Sequence, residues 1–83
     1  MYKVFTALKK SIYYENTIVV FTADHGSLVG AHGGLFQKWH NAYEEAIHVP
    51  LIIHSPKRFA NCQETDMLTS HVDIVPTLLG LAG

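Results

Sequence analysis

The stretch NTIVVFTADHGS, residues 16–27, decides the fold class. Its run TIVVFT (17–22) is β-branched and apolar, with no alternation of polar and apolar positions. Alternation marks a strand covered on one face; a continuous apolar run marks one covered on both, as in a parallel sheet. The expectation is an α/β chain carrying part of a mostly parallel sheet flanked by helices. The run ends in Asp24 and His25, and Gly26 permits a turn. Neighbouring side chains on a strand point to opposite faces, so this pair can share a target only where the strand has stopped. Ligand sites in open α/β sheets lie beyond the carboxyl ends of strands. A carboxylate beside an imidazole suits a divalent cation that accepts oxygen and nitrogen. On spacing alone the plainer reading is favoured, in which Asp24 caps a turn or loop and His25 sits on the surface, since isolated Asp-His pairs are common.

Outward from that stretch, the pattern continues as helix, strand, long loop, strand, helix. Residues 1–14 place Val4, Phe5, Leu8 and Ile12 at helical spacing on one apolar face. Residues 24–34 hold four glycines, which leaves them as loop. Residues 42–46 read as a short helix, with Asn41 as N-cap and Glu44 and Glu45 in its first turn. Residues 50–54 read as a second strand, opened by Pro50 and stopped before Pro56. Residues 57–65 are a polar connection. Residues 73–81 read as a helix with Asp73 as N-cap and Pro76 in its first turn, where a missing N–H does no harm. Two doubly covered strands need more neighbours than 83 residues supply, so the chain is expected to be one piece, residues 1–83, of a larger sheet domain.

Composition excludes several classes. A formal net charge of -1, with no run of Lys or Arg, argues against a nucleic-acid partner. The densest apolar stretch, residues 17–23, is too short to span a membrane. Residues 1–14 carry no signal-peptide pattern. The single cysteine, Cys62, cannot form an internal disulfide and reads as a loop thiol.

Further motifs join the Asp-His-Gly step in a fixed order: Gly-Ala-His-Gly at 30–33, Lys38, Tyr-Glu at 43–44, Val-Pro-Leu-Ile-Ile at 49–53, and Asp-Ile-Val-Pro-Thr-Leu-Leu with Ala-Gly at 73–83. This ordered set resembles the sulfatase family, within the alkaline-phosphatase-like metallohydrolases. The resemblance runs from about residue 16 to residue 83, with a gap at 57–66. It implies that Asp24 and His25 are metal ligands. It implies that the Lys38 ammonium contacts sulfate or phosphate oxygens, and that His32 supports the site as a second catalytic residue. The ion implied is calcium, with magnesium or manganese as alternatives. His48, His54 and His71 read as packing or surface histidines, and Trp39 and Tyr43 as residues packed over the loop.

The family's formylglycine nucleophile and its early aspartate pair have no match in this chain; Cys62 is followed by Gln63-Glu64-Thr65. The resemblance therefore implies a partial catalytic domain of a sulfuric ester hydrolase, inactive without the remainder of that domain. Its partner would be a sulfated or phosphorylated small molecule or glycan. Two alternatives stand beside it: a phosphodiesterase or phosphonate monoester hydrolase relative, and a non-catalytic domain that binds a metal or a partner. Asp24-His25 in place of Asp-Asn points towards the iduronate-sulfatase-like and phosphonate-hydrolase-like branches. Ala31 and His48 depart from the family's frequent acid and arginine. A periplasmic, extracellular or lysosomal setting is compatible with the resemblance, and the sequence does not choose among them.

Overall fold

A computed structural model of the chain describes residues 1–36 and 40–83. Among the described residues the elements follow in the order α1 (Tyr2–Lys9), β1 (Val19–Thr22), the short turn α2 (Ala31–Gly34), whose His32 and Gly33 are left-handed and not helical, α3 (Glu44–Ile47), β2 (Leu51–His54) and α4 (Ile74–Ala82), with 3-10 turns at Tyr14–Asn16 and His71–Asp73.

The first helix is shorter than its apolar spacing predicts. Ser11 stops it: the Ser11 hydroxyl donates to the Leu8 carbonyl at 2.8 Å and accepts from the Tyr13 amide at 3.3 Å. A side chain that competes for backbone groups in this way ends a helix. Phe5 and Leu8 are half-buried, whereas Val4 and Ile12 are exposed. Phe5 meets Tyr14 edge-on at 6.3 Å between ring centroids and His54 at 5.6 Å. The Tyr14 hydroxyl and His54 Nε2 are 3.0 Å apart. This aromatic group ties α1 and the first 3-10 turn to the end of β2.

The two strands pair in the register Val19 with His54, Val20 with Ile53, Phe21 with Ile52 and Thr22 with Leu51. They run antiparallel, not parallel as the doubly apolar runs suggested. The reason lies in the connection. A parallel partner requires a crossover to the opposite end of the first strand. Here the chain comes back at the carboxyl end of β1, where the Gly26 amide donates to the Ala46 carbonyl at 2.8 Å. The chain therefore enters β2 beside Thr22 and runs back. A two-stranded ladder is too small to set the direction of a wider sheet.

Little is buried. Leu28 and Ala46 are the buried hydrophobic residues among those described, and Ser55 is the buried polar one. Phe21, Leu51 and Ile52 on the sheet remain exposed, as do Val75 and Leu79 on α4. An open apolar groove of about 290 Å³ lies between α1 and the sheet, lined by Phe5, Val19, Phe21 and Ile52 among others. The Cα radius of gyration is 16.1 Å, against about 12 Å for a compact domain of this length. No helix among the described residues is long and apolar enough to cross a membrane.

Helix α4 starts as its sequence predicts, with one adjustment. Asp73 acts one turn back: its Oδ2 accepts the Ser70 amide at 2.8 Å, while the Ser70 side chain accepts from the Asp73 amide. This reciprocal capping box satisfies two amides that helix geometry leaves without partners.

Candidate metal and ester-cleavage site

The site begins where β1 ends. Asp24 and His25 follow the last ladder residue, Thr22, after a single alanine. Their side chains converge: His25 Nε2 lies 3.3 Å from Asp24 Oδ2. The other carboxylate oxygen, Oδ1, accepts the His25 amide at 2.9 Å. On the far side of the ring, Nδ1 donates to the Gly26 carbonyl at 2.6 Å. A carbonyl only accepts, so that contact puts the proton of the neutral imidazole on Nδ1 and the lone pair on Nε2. The lone pair then faces the same region as the carboxylate. Asp24 is largely exposed and His25 partly so.

Gly26 makes this possible, though by a different route from the one its residue type suggests. Its φ is not positive. What requires glycine is close approach: a Cβ at position 26 would collide with the backbone carbonyl of Glu45. The loop thus lies directly on α3, and Leu28, 3% exposed, anchors its next step. Beyond Leu28 the chain takes left-handed conformations at Val29 (φ 46°), Gly30 (φ 89°), His32 (φ 52°) and Gly33 (φ 84°). Such positive φ is costly for a β-branched residue, so Val29 stores strain next to the site.

His32 is held on two sides. Its ring stacks on Tyr43 with centroids 3.8 Å apart and planes 6° from parallel. Its Nε2 lies 3.0 Å from Glu45 Oε2. The Glu45 carboxyl sits below its ordinary value, first through a hydrogen bond from its own backbone and then through His32. Helix α3 therefore touches two parts of the loop at once, Gly26 through backbone and His32 through a carboxylate. The short helix begins after Tyr43, not after Asn41; Asn41 Oδ1 instead accepts the Tyr43 amide at 3.2 Å and sets the turn before it.

Lys38 and Trp39 lie outside the described residues. Of the remaining histidines, His48 is a surface residue paired with Glu44 at 2.7 Å, and His54 packs among aromatic rings. His71 is exposed, as a surface histidine, and its Nε2 donates to the Ala23 carbonyl at 2.7 Å, directly before Asp24. No local pattern marks that contact, because it joins positions far apart in the chain. Among the described residues no third His, Cys, Asp or Glu joins Asp24 and His25 as a metal-ligand cluster.

Comparison with known proteins adds to this geometry. The chain is 37% identical to arylsulfatase K of Canis lupus familiaris over 81 residues, 98% of this chain and 15% of that protein. It is 41% identical to the uncharacterized sulfatase YidJ of Escherichia coli over 68 residues, 82% of this chain and 13% of that one. It is 37% identical to an N-acetylglucosamine-6-O-sulfatase of Bacteroides thetaiotaomicron over 76 residues, 92% of this chain and 13% of that one. The chain thus spans about one seventh of the length of these relatives. No solved structure matches it. The sulfatase family model matches residues 1–83, and with these relatives it shows that the chain belongs to the sulfatase family.

Proposed function

We propose that this chain supplies the cation-binding and leaving-group side of a sulfuric ester hydrolase, whose nucleophile comes from sequence outside residues 1–83. The observation that carries the reading is the convergence of Asp24 and His25 where β1 ends. Two donors about 2.3 Å from one ion and at about a right angle to each other lie about 3.3 Å apart. That matches the 3.3 Å between His25 Nε2 and Asp24 Oδ2. A metal-binding imidazole ordinarily donates its other N–H to a carbonyl or carboxylate, as His25 does to Gly26. Calcium is the ion the family resemblance implies, with magnesium or manganese as alternatives that a carboxylate and an imidazole also accept. When bound, such an ion draws electron density from ester oxygens and keeps the nucleophile deprotonated.

The chain's own residues do the rest of the work assigned here. Asp24 and His25 would hold the cation against which the ester's charged group is oriented. His32, stacked on Tyr43 and paired with Glu45, takes the supporting role of handling the proton of the departing alcohol. The Lys38 ammonium offsets charge on the transferred group. A formylglycine nucleophile and further acidic ligands complete the centre from the remainder of the catalytic domain, so the isolated chain has no turnover. The exposed apolar side chains of both strands and of α4 are the surface on which that remainder packs. The substrate class is a sulfated small molecule or glycan, as the names of the relatives suggest.

A segment exchange tests this. Residues 1–83 replace the matching segment of the Bacteroides thetaiotaomicron sulfatase, and sulfate release from N-acetylglucosamine-6-sulfate is followed. The expected result is measurable release that Asp24→Ala abolishes. A folded chimera whose release is indifferent to Asp24→Ala and His25→Ala would sink the proposal. A chimera that cleaves the phosphate ester in preference to the sulfate ester moves the assignment to the phosphohydrolase branch.

A further inference from the structure

His71 stands apart from every role given above. It opens the 3-10 turn before α4, and the Ser70–Asp73 capping box fixes the backbone on which it sits. Its Nε2 lies 2.7 Å from the carbonyl oxygen of Ala23. The carbonyl only accepts, so Nε2 carries the proton. Ala23 is the first residue beyond the paired segment of β1. A peptide group is planar, so whatever holds the Ala23 carbonyl also sets the plane that delivers the Asp24 amide and Cα. Past the last ladder bond the same carbonyl also accepts from the Thr22 hydroxyl, at 3.4 Å, so His71 makes the shorter of these two contacts on the plane that sets the direction of the next two side chains.

We propose that His71 is a positioning residue: its Nε2–H holds the Ala23–Asp24 peptide plane, and so aims the Asp24 carboxylate and the His25 imidazole at one cation. The proposal rests on the cation reading of Asp24 and His25. It assigns the turn before α4 a task in the site through a backbone carbonyl. Partners outside the first ligands commonly change metal affinity 10- to 100-fold when lost. A contact through one backbone carbonyl belongs at the lower end of that range, about tenfold.

The test uses the full 83-residue chain, labelled with nitrogen-15. Long-range imidazole spectra read the tautomer of His71, amide spectra read residues 24–26, and electron paramagnetic resonance reads manganese binding. The expected results are a His71 ring protonated on Nε2, shifted Asp24 to Gly26 amides in His71→Phe, and a manganese affinity about tenfold weaker in that variant. His71→Gln, which keeps a donor in the place of Nε2, restores both. A ring protonated on Nδ1 alone overturns the proposal. So does a Gln variant as impaired as Phe, or a Phe variant with unchanged amides and affinity. Manganese binding that Asp24→Ala leaves intact overturns the cation reading and the cation half of this proposal with it. The tautomer and amide measurements then decide the peptide-plane half on their own.

Discussion

Replacing Gly26 by alanine adds one methyl group at the most crowded backbone contact of the site. The added Cβ would overlap the Glu45 carbonyl, with the Ala46 Cα 3.4 Å away. Both neighbours are backbone, so no rotamer change relieves the overlap. The loop must lift from α3, which breaks the 2.8 Å bond from the Gly26 amide to the Ala46 carbonyl. A lost hydrogen bond of this kind costs about 1 kcal/mol. Overpacking that forces backbone to move costs about 1–3 kcal/mol more. The sum, about 2–4 kcal/mol, shifts the docked-to-open equilibrium of the loop roughly 30- to 900-fold. A core this small supplies only about 3–5 kcal/mol, so global stability falls with the loop. Urea denaturation followed by circular dichroism gives the first quantity, and amide hydrogen exchange at Gly26 gives the second. Exchange at Gly26 should accelerate by the same factor. If Gly26→Ala leaves both the midpoint and the exchange rate at wild-type values, the close-approach account of this glycine is wrong.

Gly80 is the opposite case. It lies within α4, and a Cβ there meets nothing within 4 Å. Gly80→Ala should therefore stabilise α4 by about 0.5–1 kcal/mol, seen as a higher urea midpoint, and a destabilised variant would contradict the open surface described there. Glu45 gives a pH dependence. Its folded pKa is depressed below its ordinary value of 4.5 by its backbone hydrogen bond and by His32. The unfolded state therefore binds the proton first, so the contribution is present above the ordinary value and is lost as pH falls through the folded one. Protection of the amides of residues 30–34, taken relative to their intrinsic exchange rate at each pH, should fall on acidification from about pH 5 to about pH 3 in the wild type and stay flat in Glu45→Gln; equal behaviour of the two would remove the carboxylate from the account.

Much of the secondary structure could be read from local pattern. The apolar runs at 17–22 and 50–54 became β1 and β2, and Asp73 with Pro76 marked the start of α4 within one turn. These signals are local: β-branched side chains, a proline, an acid that reaches nearby amides. The family membership of the chain was legible too, through motifs in order, and it implies the alkaline-phosphatase-like α/β fold. What stayed hidden depends on distance along the chain. Strand direction is set by where residues 23–50 return, not by the strands' own residues. Gly26 looked like a turn glycine, and only its contact with Glu45 reveals the steric reason. His71 is the surface histidine it was read as, but its partner was hidden, because the Ala23 carbonyl it engages lies 48 positions away in the chain. For His32 the sequence carried no sign of its stacking on Tyr43 or of its left-handed backbone.

The ladder of β1 and β2 has a consequence for handling the polypeptide. With only two strands, each has an outer rim of amide and carbonyl groups that no third strand occupies among the described residues. Such rims recruit further strands, and no lysine or proline lies within either strand to blunt them. The same rims that would knit into a wider sheet in a complete domain will stitch copies together in a concentrated solution of this chain. Dilute samples, or a lysine placed at an outward position of β2, are the remedy that follows from the geometry.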